Sequence, residues 1–310
     1  MGLNKGTSVW KNGEYLDPET IPVNPSAFHG TYYGSSVFEG IRFYNTDQGR
    51  KIFRLNDHVN RLFASANTLD IEVVQTREEM KDICKQLVEA CEWDSGYIRP
   101  TISPSVSETG ALSVCPIGTQ TDVEVAIKSL GKYMPNNSLK VQIAEKSRPH
   151  PESSYVTAKI GGTYAVSGNM TTKAKKQGFD EALLLDERGY IAESPSANIF
   201  FVDRAGSVCT PTNHNILEGI TRATIIQLLK DQHNIDVVQK DISVDDLSDF
   251  QEAFFVGTAA EVTPIGSVTD RQGNRSNYIS SQEDSFTNKI KKLYGDVVTG
   301  KMEKYSDWLS

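Results

Sequence analysis

Apolar and polar positions alternate along the first part of the chain and then change period. Residues 8–16 read as a short hairpin, because Asn12-Gly13 supplies the positive φ angles that a two-residue turn needs. Residues 37–44 and 51–55 carry the aromatic and β-branched side chains of paired strands. Beyond them Val59, Leu62, Phe63, Ala66 and Leu69 recur at helical spacing, with Asn56 or Asp57 as the expected cap. Thr76 and Glu79 form a capping-box pattern ahead of Met80, Ile83, Cys84, Leu87, Val88 and Cys91, a single apolar stripe of a second helix. Strands are expected at 97–103 and 123–127.

Residues 129–139 (SLGKYMPNNSL) collect Gly, Pro, Asn and Ser and read as a linker. That divides the chain into a smaller domain, residues 1–128, and a larger one, residues 140–310. The second half continues with strands at 141–144, 181–185, 190–193, 198–202, 208–210, 237–242 and 252–256. Helices are expected at 163–176 and 221–230, and a last one has Phe286, Ile290 and Leu293 on one face. Strands and helices grouped in two halves imply an α+β fold in two domains.

Composition narrows the function classes. The 310 residues carry 32 basic and 40 acidic side chains, a net charge of −8 that offers no general field for a nucleic-acid backbone. No window approaches the roughly 20 apolar residues of a membrane span, and the amino terminus has neither an apolar signal core nor, with Gly6, a myristoylation pattern. The protein is therefore expected to be cytoplasmic. The four cysteines lack CxxC spacing and the five histidines lack ligand spacing, so no metal site is expected. Dinucleotide, P-loop and serine-hydrolase motifs are absent as well.

Four segments stand out. Lys159 sits beside Gly161-Gly162 just before a helix, where glycines let a ligand come close and desolvation would favour a neutral, nucleophilic amine. Glu193 ends an apolar strand at a tight turn and could hold a pyridinium N–H. Gly219-Ile220-Thr221-Arg222 opens a helix, and a helix N-terminus suits one phosphate. Gly257-Thr258-Ala259-Ala260-Glu261-Val262-Thr263-Pro264 is a second small-residue turn that could present amides to an anion. Taken singly, each has an ordinary alternative: a solvated lysine, a turn acid, a plain N-cap, a plain turn.

With Tyr33-Gly34-Ser35-Ser36-Val37-Phe38-Glu39-Gly40-Ile41-Arg42, Arg61-Leu62 and Tyr97-Ile98-Arg99-Pro100, these segments stand in the order of one family. The sequence resembles the class IV (fold type IV) pyridoxal-phosphate aminotransferases, and among them the bacterial branched-chain amino acid aminotransferases, from about Trp10 to Thr299. The resemblance implies a two-domain fold with mixed sheets, barrel-like in the C-terminal domain, and pyridoxal 5′-phosphate as cofactor. It implies transfer of the amino group of L-leucine, L-isoleucine and L-valine to 2-oxoglutarate.

By the same resemblance, Lys159 bonds the cofactor and carries the proton in catalysis. Glu193 pairs with the pyridine nitrogen, and Tyr164 bonds the ring hydroxyl. Arg61, Ile220, Thr221 and Thr258 hold the phosphate, with Leu217 and Gly219 under the ring. Tyr33, Phe38, Gly40, Tyr133 and Tyr164 shape an apolar substrate pocket, Arg99 receives the γ-carboxylate of glutamate, and Tyr97 with the amides near Thr258 and Ala259 holds the α-carboxylate. The family pattern also implies a homodimer or higher homo-oligomer, with Tyr33 or residues 105–116 reaching a neighbour's site.

Two departures bear on specificity. Ser194-Pro195-Ser196-Ala197 stand where branched-chain enzymes usually carry glycines, and Thr163 where Asn is common. D-amino-acid aminotransferases and 4-amino-4-deoxychorismate lyases share the lysine, the acid and the phosphate site, but are not expected to combine Tyr97-Ile98-Arg99 with Val37-Phe38-Glu39-Gly40. A catalytically silent scaffold that only binds the cofactor would have no need for Lys159, Glu193 and Arg61 together.

Overall fold

The computed structural model describes residues 9–17, 29–107, 113–131, 134 and 138–310. The chain divides into two compact units. The first runs to Gly131 and also takes in Ala158–Thr163 and Val297–Ser310; the second holds the residues up to Thr157 and then Tyr164–Asp296.

In the first unit β1 (Val9–Lys11) and β2 (Glu14–Leu16) form a hairpin, with Asn12 and Gly13 at φ 46° and 99°. There follow α1 (His29–Tyr33), β3 (Val37–Phe38), β4 (Ile41–Thr46), β5 (Gly49–Ile52), α2 (Leu55–Thr68), α3 (Arg77–Ala90), β6 (Gly96–Ser107) and β7 (Thr119–Ser129). The strands make a sheet of order β2-β1-β7-β6-β4-β5, and β3 pairs with β6. Ile41, Phe43, Ile98 and Val125 from the sheet meet Val59, Leu62, Met80 and Leu87 from the helices in one core. Burying each such side chain contributes about 1.5–3 kcal/mol.

The capping box forms as the sequence predicts: Glu79 N donates to Thr76 Oγ1 at 3.2 Å, and Thr76 N to the Glu79 carboxylate at 2.7 Å. Helix α2 differs from expectation. It starts at Leu55, ahead of Asn56 and Asp57, and its N-cap is Arg54 at φ 55° with no side-chain cap bond. The strand expected over 37–44 is broken at Glu39-Gly40, because Glu39 N donates to Pro100 O and its carboxylate turns inward.

The second unit contains β8 (Leu139–Ile143), α4 (Tyr164–Lys176), β9 (Glu181–Leu183), β10 (Asn198–Asp203), β11 (Val208–Thr210), α5 (Ile220–His233), β12 (Val238–Gln239), β13 (Phe250–Gly257), β14 (Glu261–Thr269), β15 (Arg275–Asn277) and most of α6 (Phe286–Val298). Its sheet runs β12-β11-β10-β13-β14-β8-β9, with β15 on β14. Phe200 and Phe254 sit opposite each other on β10 and β13 and stack at 5.3 Å. Ile199, Phe201, Ala253 and Phe255 point to the opposite face and join a core with Val141, Leu183 and Ile265.

Residues 190–193 make only an isolated bridge, Leu185 to Ile191, rather than a strand. The turn expected over 257–264 is confined to 258–260, and the chain pairs again from Glu261. Of residues 105–116, 108–112 lie outside the described residues. Among the described residues no helix is long and apolar enough to cross a membrane.

Candidate active site

In the first unit the segment carrying Lys159 is laid against residues 34–38. Gly161 N donates to Ser36 O at 2.7 Å, Gly162 N to Gly34 O at 2.9 Å, and Phe38 N to Lys159 O at 3.1 Å. Only glycines fit this approach. A Cβ on Gly34 would lie 2.7 Å from Gly162 Cα, and one on Gly161 would lie 2.5 Å from Ser36 Oγ. Gly34, at φ +65°, also closes α1 by donating to Gly30 O. Lys159 N donates to Ser65 Oγ at 3.0 Å, so the lysine's backbone is tied on both sides.

The lysine amine lies 4.8 Å from the centre of the Phe38 ring, and the Arg99 guanidinium lies 4.7 Å from it. Arg99 is 5.2 Å from the Tyr97 ring and donates to the Tyr97 hydroxyl at 3.1 Å. Tyr97, Arg99 and Thr101 alternate along β6, which brings the first two to one face. Gly40 makes room for that hydroxyl, since a Cβ there would be 1.7 Å from it. Arg99 Nε is buried and has no hydrogen-bond partner among the described residues.

Helix α2 presents His58, Arg61 and Ser65 at helical spacing along one side. His58 Nδ1 and the Arg61 fork converge on Glu39, which is fully buried: Arg61 Nε donates at 2.6 Å and Nη2 at 3.0 Å, and His58 lies at 2.8 Å. Burial opposes ionisation of Glu39, but the Arg61 charge and the His58 and Arg61 hydrogen bonds outweigh it and hold the carboxyl well below the usual range. Burial pushes the His58 pKa down despite Glu39, so the imidazole is neutral at pH 7 and donates through Nδ1.

In the second unit Glu193 is buried and held by donors from three places. Arg148 Nη1 donates to Oε1, Asn198 Nδ2 to Oε2 at 2.8 Å, and Leu217 N to both oxygens at 3.2 and 3.3 Å. Asn198 Nδ2 also reaches Leu217 O at 3.0 Å, pinning the segment that leads into α5. A Cβ on Gly219 would lie 1.9 Å from Asn198 Oδ1. Helix α5 has Gly219 as N-cap with no side-chain cap, and its first ladder bond is Ala223 N to Gly219 O. The Ile220 and Thr221 amides therefore precede the ladder. Arg222 is spent on structure, donating to Pro211 O and Gln239.

Thr258 and Ala259 form the β13–β14 turn, beside Gly257, whose Cβ position is 3.2 Å from Ser196 O. Ser194 Oγ accepts from Ser196 N and Ala197 N at 3.2 and 2.9 Å, so the extra atom of this glycine-poor turn is used within the turn itself. Thr163 Oγ1 likewise bonds Ile160 O. Tyr164 opens α4. Tyr33 ends α1 half-exposed, with its ring 4.7 Å from that of His29. Tyr133 lies outside the described residues.

Lys159, Phe38, Gly40, Tyr97 and Arg99 thus form one cluster in the first unit, and Glu193, Leu217, Gly219 and the start of α5 form one in the second. His58, Ser65, Arg148 and Asn198 were not singled out by the sequence reading. The first two carry a signal, polar residues at i, i+3 and i+7 with Arg61 on a helix of otherwise apolar core positions. Arg148 and Asn198 carry none, because their partners are set by the fold.

The family model "Amino-transferase class IV" matches residues 36–268. The branched-chain-amino-acid aminotransferase of Pseudomonas aeruginosa is 35% identical over 304 residues, covering 97% of this chain and 95% of that protein. Among solved structures, the branched-chain aminotransferase of Thermoproteus uzoniensis with norvaline superposes at TM-score 0.89 and 35% identity, covering 98% of both chains. The branched-chain amino acid aminotransferase of Thermobaculum terrenum in its PLP-form does so at 0.88 and 26%, covering 99% of this chain and 98% of that one.

Proposed function

The chain belongs to the class IV aminotransferases, and from that premise we propose that it transfers the amino group of L-leucine, L-isoleucine or L-valine to 2-oxoglutarate, using pyridoxal 5′-phosphate. The products are the branched 2-oxo acids and L-glutamate. The residues present suit that cofactor: a lysine amine on a backbone tied at both ends, a buried carboxylate already supplied with donors, and a helix start without a side-chain cap. Lys159 would bond it, Glu193 would face its ring nitrogen and Tyr164 its ring hydroxyl. Arg61, Ile220, Thr221 and Thr258 would take its phosphate, with Leu217 and Gly219 under the ring. Bound there, the cofactor supplies an electron-withdrawing ring that acidifies the substrate Cα–H.

The chain's own groups do the rest. The Lys159 amine, once released, would carry the proton from the substrate Cα to the cofactor's C4′, a general acid–base task that contributes about 10²–10⁴-fold. Tyr97 and the amides at Thr258 and Ala259 orient the α-carboxylate. Tyr33, Phe38, Gly40 and Tyr133 give the branched side chain an apolar wall. The observation that carries the reading is Arg99: its buried Nε has no hydrogen-bond partner among the described residues and its guanidinium stands over the Phe38 ring, which puts an apolar surface and a cation for glutamate's second carboxylate side by side. The protein acts as a homodimer or higher homo-oligomer, which light scattering tests; a monomer overturns that part.

The near-visible spectrum before and after adding L-leucine, without any 2-oxo acid, tests the reaction. Loss of the band of lysine-bound cofactor with growth of the pyridoxamine band is expected. A band indifferent to L-leucine redirects the activity to D-amino acids or a lyase, and no band after adding pyridoxal phosphate overturns the cofactor.

A further inference from the structure

Arg148 forms an ion pair with Glu193, and nothing in the reaction scheme above uses it. All three of its nitrogens are engaged within the second unit: Nη1 on Glu193 Oε1, Nη2 on Val156 O at 3.0 Å, and Nε on Asn215 Oδ1 at 3.2 Å. Asn215 is itself fixed, donating to Pro149 O at 2.9 Å and to the Glu187 carboxylate at 2.8 Å. The guanidinium is therefore locked in place before any ligand arrives, with a charge-assisted bond to a buried carboxylate. Asn198 and Leu217 N, which also donate to Glu193, are neutral.

We infer that Arg148 is a positioning residue that acts through Glu193, keeping the shared proton on the heterocyclic nitrogen of the bound cofactor rather than on the carboxylate. The inference rests on the proposed role of Glu193. A fixed positive charge in contact with a carboxylate stabilises its ionised form and weakens it as a base. The same charge is one carboxylate further from the ring nitrogen, so it favours carboxylate and pyridinium over the neutral pair. Without it, the proton is drawn toward Glu193 and the ring loses part of its pull on electrons. The step moves one proton along one hydrogen bond, with no change in redox state.

The test is the nitrogen NMR shift of pyridoxal phosphate, isotope-labelled at the ring nitrogen and bound to the full-length protein, in wild type, R148Q, R148M and R148K. R148Q removes the charge together with the bonds to Asn215 and Val156, and R148K loses those bonds while keeping the charge, so the two variants together separate charge from anchoring. The wild type is expected at the pyridinium position, R148Q and R148M displaced by more than half of the span toward neutral pyridine, and R148K near wild type. A purely structural anchor predicts another pattern, because lysine keeps the charge but cannot make the three anchoring bonds. R148Q at the wild-type shift, or R148K displaced as far as R148Q, overturns the inference. If R148Q does not fold, R148M against R148K decides in the same way. Failure of the wild type to bind the cofactor would overturn the proposed function instead, so the two failures are distinct.

Discussion

Glu39 in the first unit and Glu193 in the second are each buried against an arginine, and the two pairs are built differently. Glu39 takes both Arg61 donors and His58 from a single helix side, and its oxygens face protein all round. Glu193 gathers donors from Arg148, Asn198 and the backbone at Leu217, separate parts of the second unit. The first arrangement fastens a helix to a sheet, so that α2 can set Arg61 and Ser65. The second fixes the carboxylate itself. Buried ion pairs of similar appearance thus do different work according to whether their donors share an element.

The largest effect expected from breaking this contrast is on Glu39. Glu39→Ala leaves Arg61 and His58 without their acceptor, and urea denaturation should show about 3–5 kcal/mol lost, as for removal of one partner from a buried pair. Glu193→Gln keeps the side chain's shape and a carbonyl acceptor, so its cost should fall on rate: amino transfer from L-leucine drops about 100-fold, or roughly 2.7 kcal/mol of barrier, with the urea midpoint moving much less than in Glu39→Ala. If both variants lose stability equally, the contrast fails.

Acid should reveal the same difference. His58 and Glu39 both have pKa values below their unfolded ones, 6.5 and 4.5, so the unfolded chain binds more protons in acid. Their stabilisation is present above those values and is lost as pH falls, first below 6.5 and then below 4.5. His58→Gln should flatten the upper part of that decline in urea midpoint against pH, and Glu39→Gln the lower part.

Gly219→Ala sharpens the comparison on the second unit. The new Cβ drives the Asn198 side chain off Glu193 and Leu217 O, and the thermal midpoint should register about 1–3 kcal/mol. Ser65→Ala is the smallest, about 1 kcal/mol by urea denaturation, because it removes one hydrogen bond to the Lys159 amide.

Local chemistry was legible in the sequence and long-range pairing was not. The Asn12-Gly13 turn and the Thr76–Glu79 box need only neighbouring residues, and both stand where they were expected. The start of α2 was missed because Arg54 enters the helix from a left-handed conformation and offers no polar cap to recognise. The first residues of strand β14, 261–264, were read as part of a small-residue turn. Pro264, which has no N–H to donate, lies just ahead of Ile265, where β14 begins to pair with β8, so the β8 side of the strand asks for no donor at position 264. The lysine and acid candidates were visible through the motifs that surround them. Arg148 was not, since 45 residues separate it from Glu193.

The close fit of Gly161 and Gly162 against residues 34–36 also has a temporal side. Ala158–Thr163 belong to the first unit, as do Val297–Ser310, although the chain on either side of Ala158–Thr163 belongs to the second. A ribosome that has released residues up to Gly131 has released a unit still missing its lysine. The gap closes only when the chain, having laid down β8, returns with that segment. Such non-local closure slows folding, and it means that the half of the molecule synthesised first acquires Lys159, the proposed nucleophile, only once the other half is under construction.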